Sequence, residues 1–311
     1  MTSWIKAARP RTLPLALSTV GLGGVLAYLN GFFKLDLLLL SILTTTLLQI
    51  LSNFANDYGD SKHGADNPAF KRQGPARAVQ MGDIKPGAMM VAIVLTSILA
   101  FVSGLALLYH AFGTDLTYWK WFLGIGVACI LAAITYTMGF RPYGYAGLGD
   151  LSVFVFFGLV GVMGSYFLYA RTLNELAFQG ACFVGLMSVQ VLNLNNMRDI
   201  ESDKLAGKFS IPVRIGIRLA MIYHVLLMLG SVVAASLILS QLPIDLWKMV
   251  VILIPLMNLF AMVTASITRV RKGESVQLFD KLLPRTAITT AGTVTALAIW
   301  SAIEHFSINL P

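Results

Sequence analysis

Runs of some twenty mostly apolar residues, parted by short polar stretches, recur along the whole chain. Each is long enough to cross a hydrocarbon core of roughly 30 Å as a helix. The pattern predicts nine such spans, at residues 12–31, 35–55, 87–109, 119–139, 149–170, 176–197, 215–240, 246–268 and 287–306. The expected fold is an all-α membrane protein, a single domain over 1–311 built as a bundle of nine transmembrane helices. The opening stretch, MTSWIKAARPRTLP, has no apolar core before a small-residue cleavage site, so no removable leader is expected and the first span is retained.

Composition agrees with this. Of the 311 residues 57% are hydrophobic and 12% charged, and the mean hydropathy is +0.75, far from the balance of a soluble globular domain. A net charge of +8 would suit nucleic acid, but the basic residues sort by side of the membrane. Of the 23 lysines and arginines, all but Lys34, Lys120, Arg171 and Lys248 fall on the side shared by the N-terminus and the connections after even-numbered spans. The positive-inside rule puts that side in the cytoplasm and the C-terminus outside, so the charge is explained without a nucleic-acid partner. Cys129 and Cys182 fall inside spans, where packed apolar thiols are expected rather than a disulfide framework.

Two cytoplasmic connections, 56–86 and 198–214, stand apart. Each follows an apolar span and carries asparagine and aspartate, then lysine and arginine: NFANDYGDSKHGADN in the first, NNMRDIESDKLAGK in the second. Aligning Asp57 with Asp199 also aligns Asn53 with Asn195, which suggests an internal duplication relating the second and sixth helices. If the helices continue to these ends, Asn53, Asp57 and Asp60 share one face, and Asn195, Asp199 and Asp203 follow i, i+4, i+8, with Asn196 beside them. A third connection, YTMGFRPYGYAGLGD at 136–150, is too rich in glycine to continue a helix.

Asparagine and aspartate near helix ends are often plain caps and turn formers, as Asp66-Asn67-Pro68 reads. Two similar columns on one membrane face ask for more, because carboxylates near hydrocarbon are costly and usually have a cationic partner or a function. Oxygen ligands without imidazole or thiolate select hard cations, Mg²⁺ before zinc or copper, and Mg²⁺ commonly completes its shell with water and substrate phosphate. Lys62, Lys71, Arg72 and Arg77 follow the first cluster, and Arg198, Lys204 and Lys208 interleave the second. Such bases suit a diphosphate, although the positive-inside rule alone also accounts for cations there. A lipid diphosphate, head between the clusters and tail among the helices, is the expected substrate, and prenyl transfer the reaction.

The segments NDYGDSKHGADN, GPARAVQMGDI, RPYGYAGLGDLSVFVFFG and NNMRDIESDKLAGK resemble those of the UbiA-type intramembrane prenyltransferases, over most of the chain. Within that superfamily they are most similar to the branch that prenylates 1,4-dihydroxy-2-naphthoate in menaquinone biosynthesis. The resemblance implies a bacterial inner-membrane enzyme with its active site on the cytoplasmic face and two Mg²⁺ ions bridging a polyprenyl diphosphate. It assigns Asn53, Asp57 and Asp60 to the first metal motif and Asn195, Asp199 and Asp203 to the second, the four aspartates being catalytic. The superfamily's first motif spaces its aspartates by four, where this chain has Ser61, so Asp60 or Asp66 completes that site. Lys62, Arg72, Arg77, Asn196, Arg198 and Lys204 would face the diphosphate. Arg141 would pair with the naphthoate carboxylate or serve as a cytoplasmic anchor. Tyr136, Tyr143 and Tyr145, with Phe54 or Tyr58 behind them, would offer ring faces to the allylic cation. Asp150 reads as an N-cap before an apolar run.

Two rival readings compete with this one. A sibling enzyme acting on 4-hydroxybenzoate would share the metal motifs. A cation transporter would need ionisable residues near the midplane, where His224, near the start of the seventh span, is the nearest exception to almost charge-free helices. The basic connection at 269–285 reads as a partner surface or an interfacial amphipathic segment.

Overall fold

The structure is a computed structural model that describes residues 2–62 and 77–308. Among the described residues nine helices are long and apolar enough to cross a membrane: α1 (Ser3–Leu29), α2 (Leu35–Lys62), α3 (Pro86–Phe112), α4 (Leu116–Thr135), α5 (Gly149–Ala170), α6 (Glu175–Arg198), α7 (Ile211–Ser240), α8 (Leu246–Arg271) and α9 (Val276–Glu304). The protein is thus an all-helical, multi-pass membrane protein, with each of the nine spans read from the apolar runs present.

The helix ends follow local chemistry. Asp115 caps α4 by accepting from the Thr117 N–H at 3.0 Å, and Asn174 caps α6 by accepting from the Ala177 N–H at 2.9 Å. Pro86 sits at the first position of α3, where its missing N–H is not needed. Helix α1 is not one straight rod: Arg9, at φ 49, turns the chain between Thr2–Ala8 and Leu13–Leu29. Helix α2 runs to Lys62, well beyond residue 55 where its apolar run ends. Its polar last turns persist because they are buried against other segments. The break comes instead in the second motif, where α6 stops at Arg198 and a short helix, Ile200–Leu205, resumes after Asp199.

Helix α6 is the centre of the bundle, packed against α5, α7, α9 and α1. Its approach to α5 is backbone to backbone: a Cβ on Gly158 would stand 2.6 Å from the Ala181 carbonyl oxygen. Residues Phe154–Gly164 of α5 adopt a wide π-helical winding along this contact. Helix α4 lies at the periphery, has no buried residue, and leans on α2 and α3.

Between α1, α2, α3, α4 and α5 lies a cavity of about 810 Å³. Its wall on α2 runs from Ser41 to Asn56, about 22 Å along the helix axis. Leu105, Leu108, Phe122, Phe156 and Phe167 contribute to an otherwise largely apolar lining. At one end it meets a polar rim of Gln49, Ser52, Asn53, Asn56, Tyr136 and Tyr143.

Candidate active site

That rim sits where the end of α2, the end of α6 and the 136–148 connection converge. Asp57, 2% exposed, uses both carboxylate oxygens to accept from the backbone N–H groups of Ala78 and Val79, at 3.0 and 2.9 Å. It thereby fixes the chain that enters α3. Asp60, one helical turn on, forms an ion pair with Arg77 and accepts the Tyr145 hydroxyl at 2.7 Å. Asn53 donates to the Ala8 carbonyl at 2.8 Å and to Thr12 Oγ1 at 3.2 Å, tying α2 to the turn within α1. Gly59 lets α2 touch the 136–148 connection, since a Cβ there would lie 2.5 Å from the Thr137 carbonyl oxygen.

The second motif is held just as firmly. Arg198 grips Asp199 through Nε and Nη2, at 2.8 and 2.7 Å, and Nη2 also donates to Asn195 Oδ1 at 2.8 Å. Asp203 pairs with Lys208 at 2.9 Å, and its backbone N–H returns to the Asp199 carbonyl at 2.8 Å. Asn196 is buried, and its Oδ1 has no hydrogen-bond partner among the described residues.

Tyr145 joins the two motifs. Its hydroxyl is on Asp60, and its carbonyl accepts from the Phe209 N–H at 2.9 Å, just beyond Lys208. Arg214 reinforces this by donating to the carbonyls of Ala146 and Phe209, at 2.7 and 2.9 Å. Burial pushes the Tyr145 phenol well above its ordinary range, and the nearby carboxylates of Asp60 and Asp203 push it further. Burial likewise raises Tyr136, with Asp150, Asp60 and Asp203 adding to the shift. Carboxylates of both motifs therefore act on the same two phenols. The rings of Tyr136 and Tyr143 meet edge to face at 5.3 Å on the cavity rim.

Not every residue singled out from the sequence joins this group. Arg141 is exposed and lies over the ring of exposed Phe140, at 5.7 Å. Buried Pro142 follows, and the chain then brings the Tyr145 hydroxyl onto Asp60. Lys62 and Lys204 are exposed at the edges, Lys62 lying 5.8 Å from the Tyr58 ring. Phe54 packs edge to face on Trp4 at 5.7 Å. Asp66, Lys71 and Arg72 lie outside the described residues. Asp150 is not a cap: it is buried in the first turn of α5 and accepts the Tyr223 hydroxyl of α7 at 3.0 Å. The connection at 269–285 is exposed over 271–275 and turns inward after that. Phe279 is fully buried, and Asp280 accepts from Arg198 Nη1 at 2.5 Å.

The donor set suits a hard divalent cation. Among the described residues no group of three or more His, Cys, Asp and Glu converges, and the carboxylates come in pairs, Asp57 with Asp60 and Asp199 with Asp203. A pair is what Mg²⁺ commonly takes from protein when phosphate supplies further oxygens. Asn196 Oδ1, without a partner among the described residues, adds a neutral oxygen beside the second pair.

Comparison with known proteins agrees with this geometry. The profile of the UbiA prenyltransferase family matches residues 16–283. The 1,4-dihydroxy-2-naphthoate octaprenyltransferase of Escherichia coli is 47% identical over 235 residues, covering 76% of this chain and 75% of the relative. Its Mycobacterium tuberculosis namesake is 37% identical over 241 residues, covering 76% and 78%. Among solved structures, an apo UbiA homolog from Aeropyrum pernix K1 superposes with a TM-score of 0.65 at 16% identity, over 95% of this chain and 98% of that one. A UbiA homolog from Archaeoglobus fulgidus, bound to DMAPP and Mg²⁺, superposes with a TM-score of 0.62 at 12% identity, over 96% and 99%.

Proposed function

The chain belongs to the UbiA prenyltransferase family, and from that premise we propose that it moves a polyprenyl group from polyprenyl diphosphate to 1,4-dihydroxy-2-naphthoate, releasing CO₂ and pyrophosphate and leaving demethylmenaquinol. It is a polyprenyl transferase of the menaquinone pathway. The reading of its chemistry rests most on one observation: carboxylates of both motifs, Asp60 and Asp203, act on Tyr145 and on Tyr136, and Tyr136 lies on the polar rim of a largely apolar cavity of about 810 Å³. A molecule with an anionic head and a long hydrocarbon tail fits that arrangement, and the tail would lie along the α2 wall.

In this account Asp57, Asp60, Asp199 and Asp203, with Asn53, Asn195 and Asn196 beside them, would hold Mg²⁺, two ions by the family resemblance, next to the diphosphate. Bound there, Mg²⁺ would neutralise charge on the departing pyrophosphate. Arg77, Arg198 and Lys208 supply further positive charge near the same oxygens. The apolar walls keep water from the allylic carbon as its C–O bond breaks and the electron pair leaves with pyrophosphate. Tyr136 and Tyr143, on the rim, would offer their rings to the developing cation. The naphthoate ring then forms the new C–C bond at its carboxyl-bearing carbon. CO₂ departs, its bonding electrons return to the ring, and the hydroxyl proton released on attack is restored, so protons balance.

The charge asymmetry of the connections supports a cytoplasmic N-terminus and active site, an outward C-terminus, and residence in the bacterial inner membrane. The whole of 1–311 is read as one domain, with α2 and α6 as its duplicated motif-bearing helices.

The test is an assay in detergent with radiolabelled polyprenyl diphosphate and either carboxyl-labelled 1,4-dihydroxy-2-naphthoate or 4-hydroxybenzoate, with Mg²⁺ or with EDTA. One CO₂ for each pyrophosphate, abolished by EDTA, is expected. Transfer only to 4-hydroxybenzoate would overturn the acceptor, and turnover undiminished by EDTA would overturn the metal.

A further inference from the structure

The guanidinium of Arg198 is divided between two carboxylates. One edge forks onto Asp199 at 2.8 and 2.7 Å, and Nη1 reaches Asp280 Oδ1 at 2.5 Å. The side chains of Arg198 and Asp199 are each 1% exposed, whereas Asp280 is 47% exposed. Asp280 lies outside both motifs, on Val276–Lys281, a segment anchored by fully buried Phe279 against α6.

This geometry sets two demands against each other. A fork donated by Arg198 engages both oxygens of Asp199, the oxygens a divalent cation would need. Drawing Asp199 toward such a cation withdraws negative charge from a buried guanidinium, which is costly when nothing replaces it. Asp280 is a second full charge on the opposite edge of the same guanidinium, and its exposure lets it keep that contact while the buried side rearranges.

We propose that Asp280 is a positioning residue for the second motif: by keeping Arg198 charge-compensated, it lets Asp199 pass from the arginine fork to the cation–diphosphate, while Arg198 stays beside the anion. The proposal rests on reading Asp199 as a cation ligand. With Asp280 neutralised, Asp199 must carry more of the compensation of Arg198, and the cation competes against a tighter fork.

The experiment titrates Mn²⁺ into the purified full-length protein in detergent with geranylgeranyl diphosphate and no acceptor, reading bound Mn²⁺ by electron paramagnetic resonance. Asp280→Asn keeps the size and one acceptor oxygen but removes the charge, and its half-saturating Mn²⁺ concentration is expected to rise about fivefold. Asp280→Glu is expected to stay within about twofold of the parent. Lys281→Gln changes the charge next door by one unit without touching Arg198, and its midpoint is expected to stay put. Saturable Mn²⁺ binding by the parent with the same midpoint in Asp280→Asn overturns the proposal alone. Equal and opposite shifts in Asp280→Asn and Lys281→Gln also overturn it, because a general field would then explain both. Absence of saturable Mn²⁺ binding in the parent overturns the metal reading and the proposal with it.

Discussion

The hydroxyl of Tyr145 donates to Asp60 Oδ1 at 2.7 Å, linking two residues 85 positions apart in the chain. With the Phe209 N–H on the Tyr145 carbonyl, this bond makes the 136–148 connection a bridge between the motifs. Removing it by Tyr145→Phe should cost only about 1 kcal/mol of stability, the usual net worth of one hydrogen bond. Turnover should fall much further, by about tenfold or more, because Asp60 would be oriented by Arg77 without Tyr145. Thermal unfolding and kcat measured side by side check this; a loss of activity no larger than the loss of stability would contradict it.

Asp57 should respond differently. Its two oxygens accept two backbone N–H groups, so Asp57→Asn sets an NH₂ against one of those donors besides deleting a charge. We expect about 1–3 kcal/mol of destabilisation together with lost diphosphate binding. Asp203→Asn, whose carboxylate pairs with Lys208, should lose binding with less effect on the melting temperature.

Gly59→Ala tests the close approach of α2 to the connection. A methyl group 2.5 Å from the Thr137 carbonyl oxygen must push the two apart. The expected cost is about 1–3 kcal/mol, with activity lost as Tyr145 moves off Asp60. A crystal or cryo-electron microscopy structure of the variant would show the displaced connection.

The cavity makes a prediction about tails. Gly126 lines it, and a Cβ there meets nothing within 4 Å, so Gly126→Phe fills space without a clash at its first atom. KM for long polyprenyl diphosphates should rise about tenfold or more, while dimethylallyl diphosphate should be used as before. Equal effects on short and long donors would mean that the tail does not lie there.

Alkaline pH should weaken the fold through the buried phenols. Tyr136 and Tyr145 have folded pKa values raised above the ordinary 10.0, chiefly by burial. The stability they contribute is fully present below the ordinary value and is lost as pH climbs through it toward the raised folded values. Melting temperatures followed from about pH 8 to about pH 11 should fall more steeply for the parent than for Tyr136→Phe or Tyr145→Phe.

The bundle was largely legible because a span needs only length and apolarity, and Gly149–Ala170 was read to its ends. The ends of other helices were less so. Hydropathy stops α2 near residue 55, yet Asp57 and Asp60 extend it, since their partners Ala78, Val79, Arg77 and Tyr145 come from other segments. Spacing identified the oxygen clusters, but it carries no information on pairing across the bundle. Asp280 on Arg198, 82 positions away, and Tyr223 on Asp150 therefore escaped it. Spacing likewise said nothing of Arg141's contact, which is with the ring of its neighbour Phe140.

On the function proposed, the two motifs act as one site on one lipid diphosphate. Equilibrium binding of radiolabelled geranylgeranyl diphosphate in Mg²⁺ tests it most directly, comparing the parent with Asp60→Asn and Asp203→Asn. We predict that either variant alone removes most Mg²⁺-dependent binding, and that the double variant is little worse than either single one. Independent, additive losses, or binding undiminished in either single variant, would contradict the claim.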